Sequence, residues 1–142
     1  IMIKIFISGI LATAVMSVIA LMAPFMGMPP MDFGDMLGTH NPLMPMPYAV
    51  GWLMHFVVGV MFSVIYNLIA KDRLSGSPAV KGILFAMAPF VMAQTVVMPM
   101  MGNGFWSNGH MGALLGSLLG HVVFGAVLGA ASARSSSSGS NP

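Results

Sequence analysis

Four long apolar runs constrain this chain more than any other feature of its sequence. Each run is close to the roughly 20 residues that a helix needs to cross a membrane. The predicted spans are residues 3–23, 48–70, 79–98 and 111–131. Only 6% of the 142 residues are charged, too few to cover a water-exposed surface. Because the alternation of barrel strands is missing, the runs predict an all-α, integral-membrane four-helix bundle.

The basic side chains predict how the bundle is oriented. All five lie at or beside the N-terminus, the second connector or the C-terminus: Lys4, Lys71, Arg73, Lys81 and Arg134. The first and third connectors contain no lysine or arginine. By the positive-inside rule, both termini are expected in the cytoplasm. The net charge of +2 gives no indication of a nucleic-acid partner. The lipid bilayer is the expected surrounding, because so few residues are charged.

The domain organisation is predicted to be simple. Residues 1–133 form a single four-span domain, and the serine-rich residues 134–142 form a disordered tail. The chain has no cysteine, which excludes thiolate metal sites and cysteine nucleophiles. Because no Walker motif, GxGxxG motif or serine–histidine–carboxylate set is visible, we do not expect an enzyme.

Two similar segments indicate an internal repeat. "HFVVGVMFS" begins at His55 and "HVVFGAVLG" begins at His121, and "GIL" opens both the first and the third span. These echoes predict two parallel copies of a helical hairpin, related by an axis along the membrane normal. At 1.5 Å per residue, both histidines lie roughly 10 to 15 Å below the outer boundary, so their rings could meet.

Each of these histidines has small residues one helical turn away, and three interpretations stay open. The flanking residues are Gly51 and Gly59 on one helix, and Ser117 and Gly125 on the other, and they would make room for a cofactor. The histidines could hydrogen-bond across a helix interface, to Ser17, Gln94, Thr95 or a backbone carbonyl. They could be axial ligands of a b-type haem, although no arginine lies nearby to pair with a propionate. They could also act in small-solute or ion transport.

Two further groups of residues suggest packing and metal binding. Small residues along the fourth span predict close helix packing at Gly112, Gly116, Gly120 and Gly129. Eleven of the 17 methionines lie on the predicted outer side, where thioether and imidazole groups could bind copper. The candidate copper ligands are His40, His110, Met44 and Met46. The alternative is that methionine serves only as flexible packing material.

Several motifs carry a resemblance to a known family. "GWLMHFVVGVMFSVIYNLI" and "HVVFGAVLGA", with a short P-x-M-G stretch between them, resemble a family of small bacterial four-helix membrane proteins with a domain of unknown function. The matching positions are Trp52, Leu53, His55, His121 and Gly125. The resemblance covers about residues 3–131, implies four spans in a bacterial inner membrane, and brings no activity with it.

The expected function is therefore that of a non-enzymatic accessory or assembly subunit. Short connectors leave little room for a catalytic domain, and the small-residue faces suit packing against a membrane-protein partner or a second copy. The alternatives are a haem-binding membrane protein that uses His55 and His121, copper binding on the outer side, or transport.

Overall fold

Four membrane-length helices build the computed structural model, which describes residues 1–137. They are the first helix (Met2–Met26), the second (Tyr48–Ala70), the third (Pro78–Met100) and the fourth (Met111–Ser137). Residues 1–137 contain no β-strand. Every predicted span begins within a few residues of the start of one of these helices. The predicted all-α four-helix bundle is therefore confirmed.

Three of the four helices change their winding near one end. The first is α-helical over Met2–Met22 and 3₁₀ over Ala23–Met26. The second is α-helical over Tyr48–Ile65 and becomes a π-helix over Tyr66–Ala70. The third is α-helical over Pro78–Met92, has a π-helical turn over Ala93–Val97 and ends with Met98–Met100. π-Helical turns are frequent at functional sites.

The end of the fourth helix differs from the prediction. Residues 134–137, expected in a disordered tail, are helical because the helix continues to Ser137. Serine hydroxyls bond back to this helix: Ser135 Oγ donates to Ala131 O at 3.1 Å and Ser136 Oγ to Ser132 O at 3.2 Å. The remaining predicted tail, residues 138–142, lies outside the described residues.

The helices are arranged in the spatial order second, first, fourth, third. The first helix packs against the second and the fourth, and the fourth packs most extensively against the third. The second and third helices meet through aromatic rings, with the Phe85 centroid 6.3 Å from that of Phe62 and 5.3 Å from that of Tyr66. The bundle is therefore closed at this aromatic contact and leaves space beside it.

Small residues set the closest approaches inside each hairpin. Gly9 of the first helix lies against Gly59 and Ser63 of the second, and Gly82 of the third lies against Gly125 and Gly129 of the fourth. A methyl group at Gly82 would overlap the carbonyl oxygen of Gly125. Equivalent residues of the two hairpins make these contacts. Gly9 and Gly82 are 73 residues apart in the chain, and Gly59 and Gly125 are 66 residues apart, as are Ser63 and Gly129. The equivalence supports the predicted repeat, while its origin by duplication stays a prediction.

The first connector folds back onto the second helix. It contains a short π-helix, Asp35–Thr39, which packs on Tyr48–Ile65. Asp32 fixes its start, because Oδ1 accepts hydrogen bonds from the backbone N–H groups of Gly34 at 3.0 Å and Asp35 at 3.2 Å. Asp32 Oδ2 accepts a third from the Tyr48 hydroxyl at 2.9 Å. The connector is thereby held against the bundle.

Candidate functional site

A cavity of about 200 Å³ lies inside the bundle, and both predicted histidines line it. All four helices and the first connector contribute to its wall. His55 comes from the first hairpin and His121 from the second. The sequence analysis predicted that these two rings could meet, and the structure places them around one common space.

The wall of the cavity is predominantly apolar and rich in sulfur. Its polar side chains are the two histidines, Thr13 and Ser117. Five methionines also line it: Met16, Met31, Met36, Met92 and Met98. Such a wall suits an apolar ligand or a soft ion more than a strongly hydrated one.

Partly exposed wall residues on the second and third helices indicate where the cavity meets the surface. Val58 and Met92 both line the cavity, and 41% and 44% of their surfaces are exposed. Phe62 also lines the cavity and marks the end that the aromatic contact with the third helix closes. Since this surface belongs to two predicted membrane spans, we expect the mouth to open toward lipid.

The hydrogen bonds of Ser17 indicate the tautomer of His55. Ser17 Oγ donates its only hydrogen to Thr13 O at 2.6 Å, so it can only accept from His55 Nε2, which lies 3.2 Å away. The neutral ring therefore carries its proton on Nε2 and its lone pair on Nδ1. Ser17 was among the partners predicted from the sequence, and this contact is confirmed.

A stacked phenylalanine fixes the orientation of the His55 ring. Phe33, from the first connector, lies parallel to it, with ring centroids 3.9 Å apart and an interplanar angle of 11°. Trp52, one turn away on the second helix, meets both rings edge-on. The connector thus covers the cavity and also supports one of its two imidazoles.

His121 has the opposite tautomer. Its Nδ1 lies 2.8 Å from the backbone oxygen of Ser117, and because a carbonyl can only accept, Nδ1 carries the proton. The lone pair is then on Nε2. Phe90 of the third helix contacts the ring edge-on, with centroids 5.6 Å apart. Each histidine therefore has one protonated nitrogen bonded to the protein and one nitrogen with an available lone pair.

A buried amide organises the wall next to His121. The Gln94 side chain is fully buried in the π-helical turn of the third helix. Its Nε2 donates to Ser117 Oγ at 3.0 Å, and its Oε1 accepts from Ser107 Oγ at 2.9 Å. This chain of contacts links the third connector to the residue that holds the imidazole of His121.

The small residues predicted to make room for a cofactor divide into two groups. Gly59 and Ser117 line the cavity, but a methyl group at Gly59 would overlap the Thr13 hydroxyl. The space over Gly51 is filled by the backbone of the connector at Gly34 and Gly38, and the space over Gly125 is filled by Gly82. The protein itself therefore occupies part of the predicted space.

The predicted packing glycines face different partners. Gly112 lies beside Pro29 and Gly116 beside the sulfur atoms of Met28 and Met31, all in the first connector. Gly120 lies beside Met16 of the first helix. Gly129 packs against the backbone of Pro78, as expected for a helix interface.

The predicted outer copper ligands are engaged elsewhere or exposed. His40 Nδ1 pairs with Asp35 Oδ1 at 2.6 Å, and His110 Nδ1 donates to Ser107 O at 2.8 Å. Hydrogen bonds from the Thr39 hydroxyl and then from His40 lower the pKa of Asp35. Met44 is 62% exposed and Met46 is partly buried. Within residues 1–137, no three histidine or carboxylate side chains form a metal-binding group, and copper binding by this set stays a prediction.

Sequence reasoning missed the contribution of the first connector. Met31, Phe33, Met36 and Leu37 line the cavity although they lie between two spans. The available signal was a run of large apolar residues beside Gly34 and Gly38, in a segment interpreted only as a connector between two spans. Glycine at these positions lets the connector approach the second helix closely.

Comparison with known proteins places the chain in a family. No curated protein and no solved structure shows significant similarity to this chain. One family model, described as a family of unknown function (DUF6789), matches residues 2–141. The match spans nearly the whole chain and confirms the resemblance to an uncharacterised family that the histidine motifs indicated. The chain belongs to the family of unknown function DUF6789.

Proposed function

We propose that this chain is a non-enzymatic membrane protein that binds a small ligand in the cavity between its two hairpins. One observation carries the proposal: His55 and His121, from matching positions of the two hairpins, line the same cavity. Ionisable side chains inside membrane spans are expensive and usually mark functional sites. Because two such side chains surround one cavity, we infer that the cavity is a binding site.

The lone pairs of the two imidazoles define what the ligand must offer. Nδ1 of His55 and Nε2 of His121 are acceptors, because the other nitrogen of each ring donates to the protein. A complementary ligand provides a hydrogen-bond donor or a metal ion to these nitrogens. It also provides apolar or soft surface to the surrounding wall.

The mouth of the cavity indicates the route of entry. Val58 and Met92 frame an opening between two spans, so a ligand would arrive through the lipid phase and not through the polar connectors. The covering first connector, held by Asp32 and Tyr48, closes the path from the predicted outer side.

The test is whether the protein retains a ligand in a histidine-dependent way. Protein purified in mild detergent is analysed by absorption spectroscopy, by metal analysis and by mass spectrometry of an organic extract. We expect one component that the wild type retains and that His55→Leu and His121→Leu lose, while the exposed His40→Leu retains it. Equal composition in all four proteins would refute the proposal. A Soret band lost in both cavity variants would identify the ligand as haem, which is one of the alternatives that the sequence leaves open.

A role as an accessory subunit is the second candidate, favoured by the surface beside the cavity mouth. Leu53, Val57 and Met61 form an apolar stripe on the second helix at four-residue spacing, and at least half of each side chain is exposed. This stripe suits a partner helix. Co-purification with a larger membrane complex supports this role, and isolation only as a free monomer in mild detergent contradicts it.

A further inference from the structure

We propose that the ligand of this cavity is Cu(I), held by the imidazoles of His55 and His121 and by methionine thioethers of the cavity wall. The inference rests on the proposed binding function and deepens it by naming the class of ligand. It concerns a set of residues different from the outer set predicted from the sequence.

The composition of the wall is the first argument. Five of the 18 residues that line the cavity are methionines, compared with 17 of 142 in the whole chain. Thioether sulfur and imidazole nitrogen are ligands that Cu(I) accepts readily, whereas Mg²⁺ and Ca²⁺ require oxygen ligands. The wall provides the soft ligands in excess and lacks carboxylates among its lining residues.

The hydrogen bonding of the two imidazoles is the second argument. A histidine that binds a metal usually donates its other ring N–H to a carbonyl, a carboxylate or water, which fixes the ring and its tautomer. His121 donates to the Ser117 carbonyl in this way, and His55 donates to the Ser17 hydroxyl. Both rings therefore have the protonation that metal ligation requires, without loss of a proton.

Charge is the third argument and selects a monovalent ion. All the candidate ligands are neutral, so the bound ion keeps its full charge inside a membrane span. Because the cost of burying charge in an apolar surrounding rises steeply with the charge, a divalent ion is disfavoured here. Cu(I) combines a single charge with a preference for soft ligands.

Packing brings two of the methionines next to the helix that carries His121. A methyl group added at Gly120 would lie 3.3 Å from Met16 Cε, and one added at Gly116 would lie 3.7 Å from Met31 Sδ. The glycines thus create space for thioether side chains beside Ser117 and His121. Methionine is flexible enough to turn its sulfur toward an ion without moving the backbone.

The experiment is a titration of the metal-free protein with Cu(I) in detergent without oxygen, in competition with a chromophoric Cu(I) chelator. We expect wild type to bind about one ion per chain. His55→Leu and His121→Leu should each weaken Cu(I) binding by roughly 10- to 100-fold or more. Removal of a residue that only hydrogen-bonds to a metal ligand already costs this much affinity. The matched controls are His40→Leu and the double variant Met44→Leu/Met46→Leu, which lie outside the cavity and should bind as wild type does.

X-ray absorption of the copper-loaded protein provides the second measurement, which holds even if a histidine variant does not fold. We expect both nitrogen and sulfur scatterers, with fewer sulfur atoms in the volume-conserving variant Met31→Leu/Met36→Leu. Failure of wild type to bind Cu(I), a spectrum without sulfur, or loss of binding in the Met44/Met46 variant alone would overturn the inference. If an organic molecule is retained through the histidines while Cu(I) does not bind, this inference fails and the proposed binding function stands.

Discussion

Gly82 and Gly125 illustrate how a single atom can decide the packing of this bundle. Their backbones meet where the third and fourth helices cross, and each would place a side-chain methyl group against the backbone of the other. Gly116 offers a matched contrast on the same fourth helix, since its nearest neighbour is the flexible Met28 side chain at 3.5 Å. The residue type alone does not distinguish these glycines, because the difference lies in what surrounds them.

The first residue-scale prediction follows from that contrast. Gly82→Ala should lower stability by about 1–3 kcal/mol, the usual cost of forcing an extra methyl group into a packed interface. Gly116→Ala should change stability little, because the Met28 side chain can move. The thermal unfolding midpoint in detergent measures both. Equal midpoints for the two variants would show that the third and fourth helices are not in backbone contact at Gly82.

A second prediction concerns the buried amide of Gln94. Gln94→Leu removes hydrogen bonds to Ser117 and Ser107 and should lower stability by about 1 kcal/mol, the order measured for polar contacts between membrane helices. The neighbouring Thr95→Val is the control, because the Thr95 hydroxyl bonds only to Val91 O of its own helix. Unfolding of both variants in detergent tests this prediction. A larger loss for Thr95→Val would contradict the role given to Gln94.

Individual contacts were predicted from the sequence to different degrees. The His55–Ser17 contact could be anticipated, because helical spacing places polar residues of neighbouring spans at similar depth. The stacking of Phe33 on His55 could not, since it depends on how a long connector folds back. Residue type alone does not determine such a path.

At the scale of elements, the first connector is the part whose structure adds most to the sequence. Its short π-helix is bounded by Asp32 at the start and by the Asp35–His40 pair at the end. From the sequence, this segment was predicted only to connect the first two spans on the outer side. The hydrogen bonds of two aspartates turn this link into a cover for the cavity.

The pair at the end of this π-helix predicts a pH dependence. The Thr39 and His40 hydrogen bonds lower the pKa of Asp35 from its ordinary value of 3.8, so the folded connector favours the ionised carboxylate. Its contribution to stability is full above that value and is lost as the pH falls through the lowered pKa. Hydrogen exchange of residues 35–40 should therefore accelerate as the pH drops below about 4, relative to the intrinsic rate. Asp35→Asn should abolish this dependence, and an unchanged profile in the variant would exclude Asp35 as its source.

The helices themselves were predicted well because lipid restricts the choice. A span of about 20 apolar residues can satisfy its backbone only as a helix, so composition and length suffice. The π-helical turns at Ala93–Val97 and Tyr66–Ala70 were not predicted, since a local change of winding depends on packing. The first of them follows Pro89, which the third helix also presents to the cavity.

At the scale of the whole molecule, orientation is the property that the sequence predicts and the fold does not test. The basic residues predict that both termini and the second connector lie on the cytoplasmic side. A labelling experiment follows, with Met44→Cys in the first connector and Ser75→Cys in the second, both at exposed positions. A membrane-impermeant thiol reagent added to intact cells should label only the first. Labelling of both, or of Ser75→Cys alone, would contradict the predicted topology.

The arrangement of the hairpins explains why a cavity exists at all. The first helix packs against the fourth. The repeat relates this pair of helices to the pair formed by the third and second helices, which meet mainly through aromatic rings near Phe85. This asymmetry between two similar hairpins leaves the space around His55 and His121. The repeat could be inferred from short sequence echoes, but the asymmetry depends on how the hairpins pack, which the echoes do not encode.

An experimental structure of the protein purified from its native membrane tests the binding account most directly. The account predicts non-protein density in the cavity, within bonding distance of His55 Nδ1 and His121 Nε2. An anomalous copper signal at that position would be expected if the ion is Cu(I). An empty cavity, or histidine rings that turn their unprotonated nitrogens away from it, would contradict the central claim.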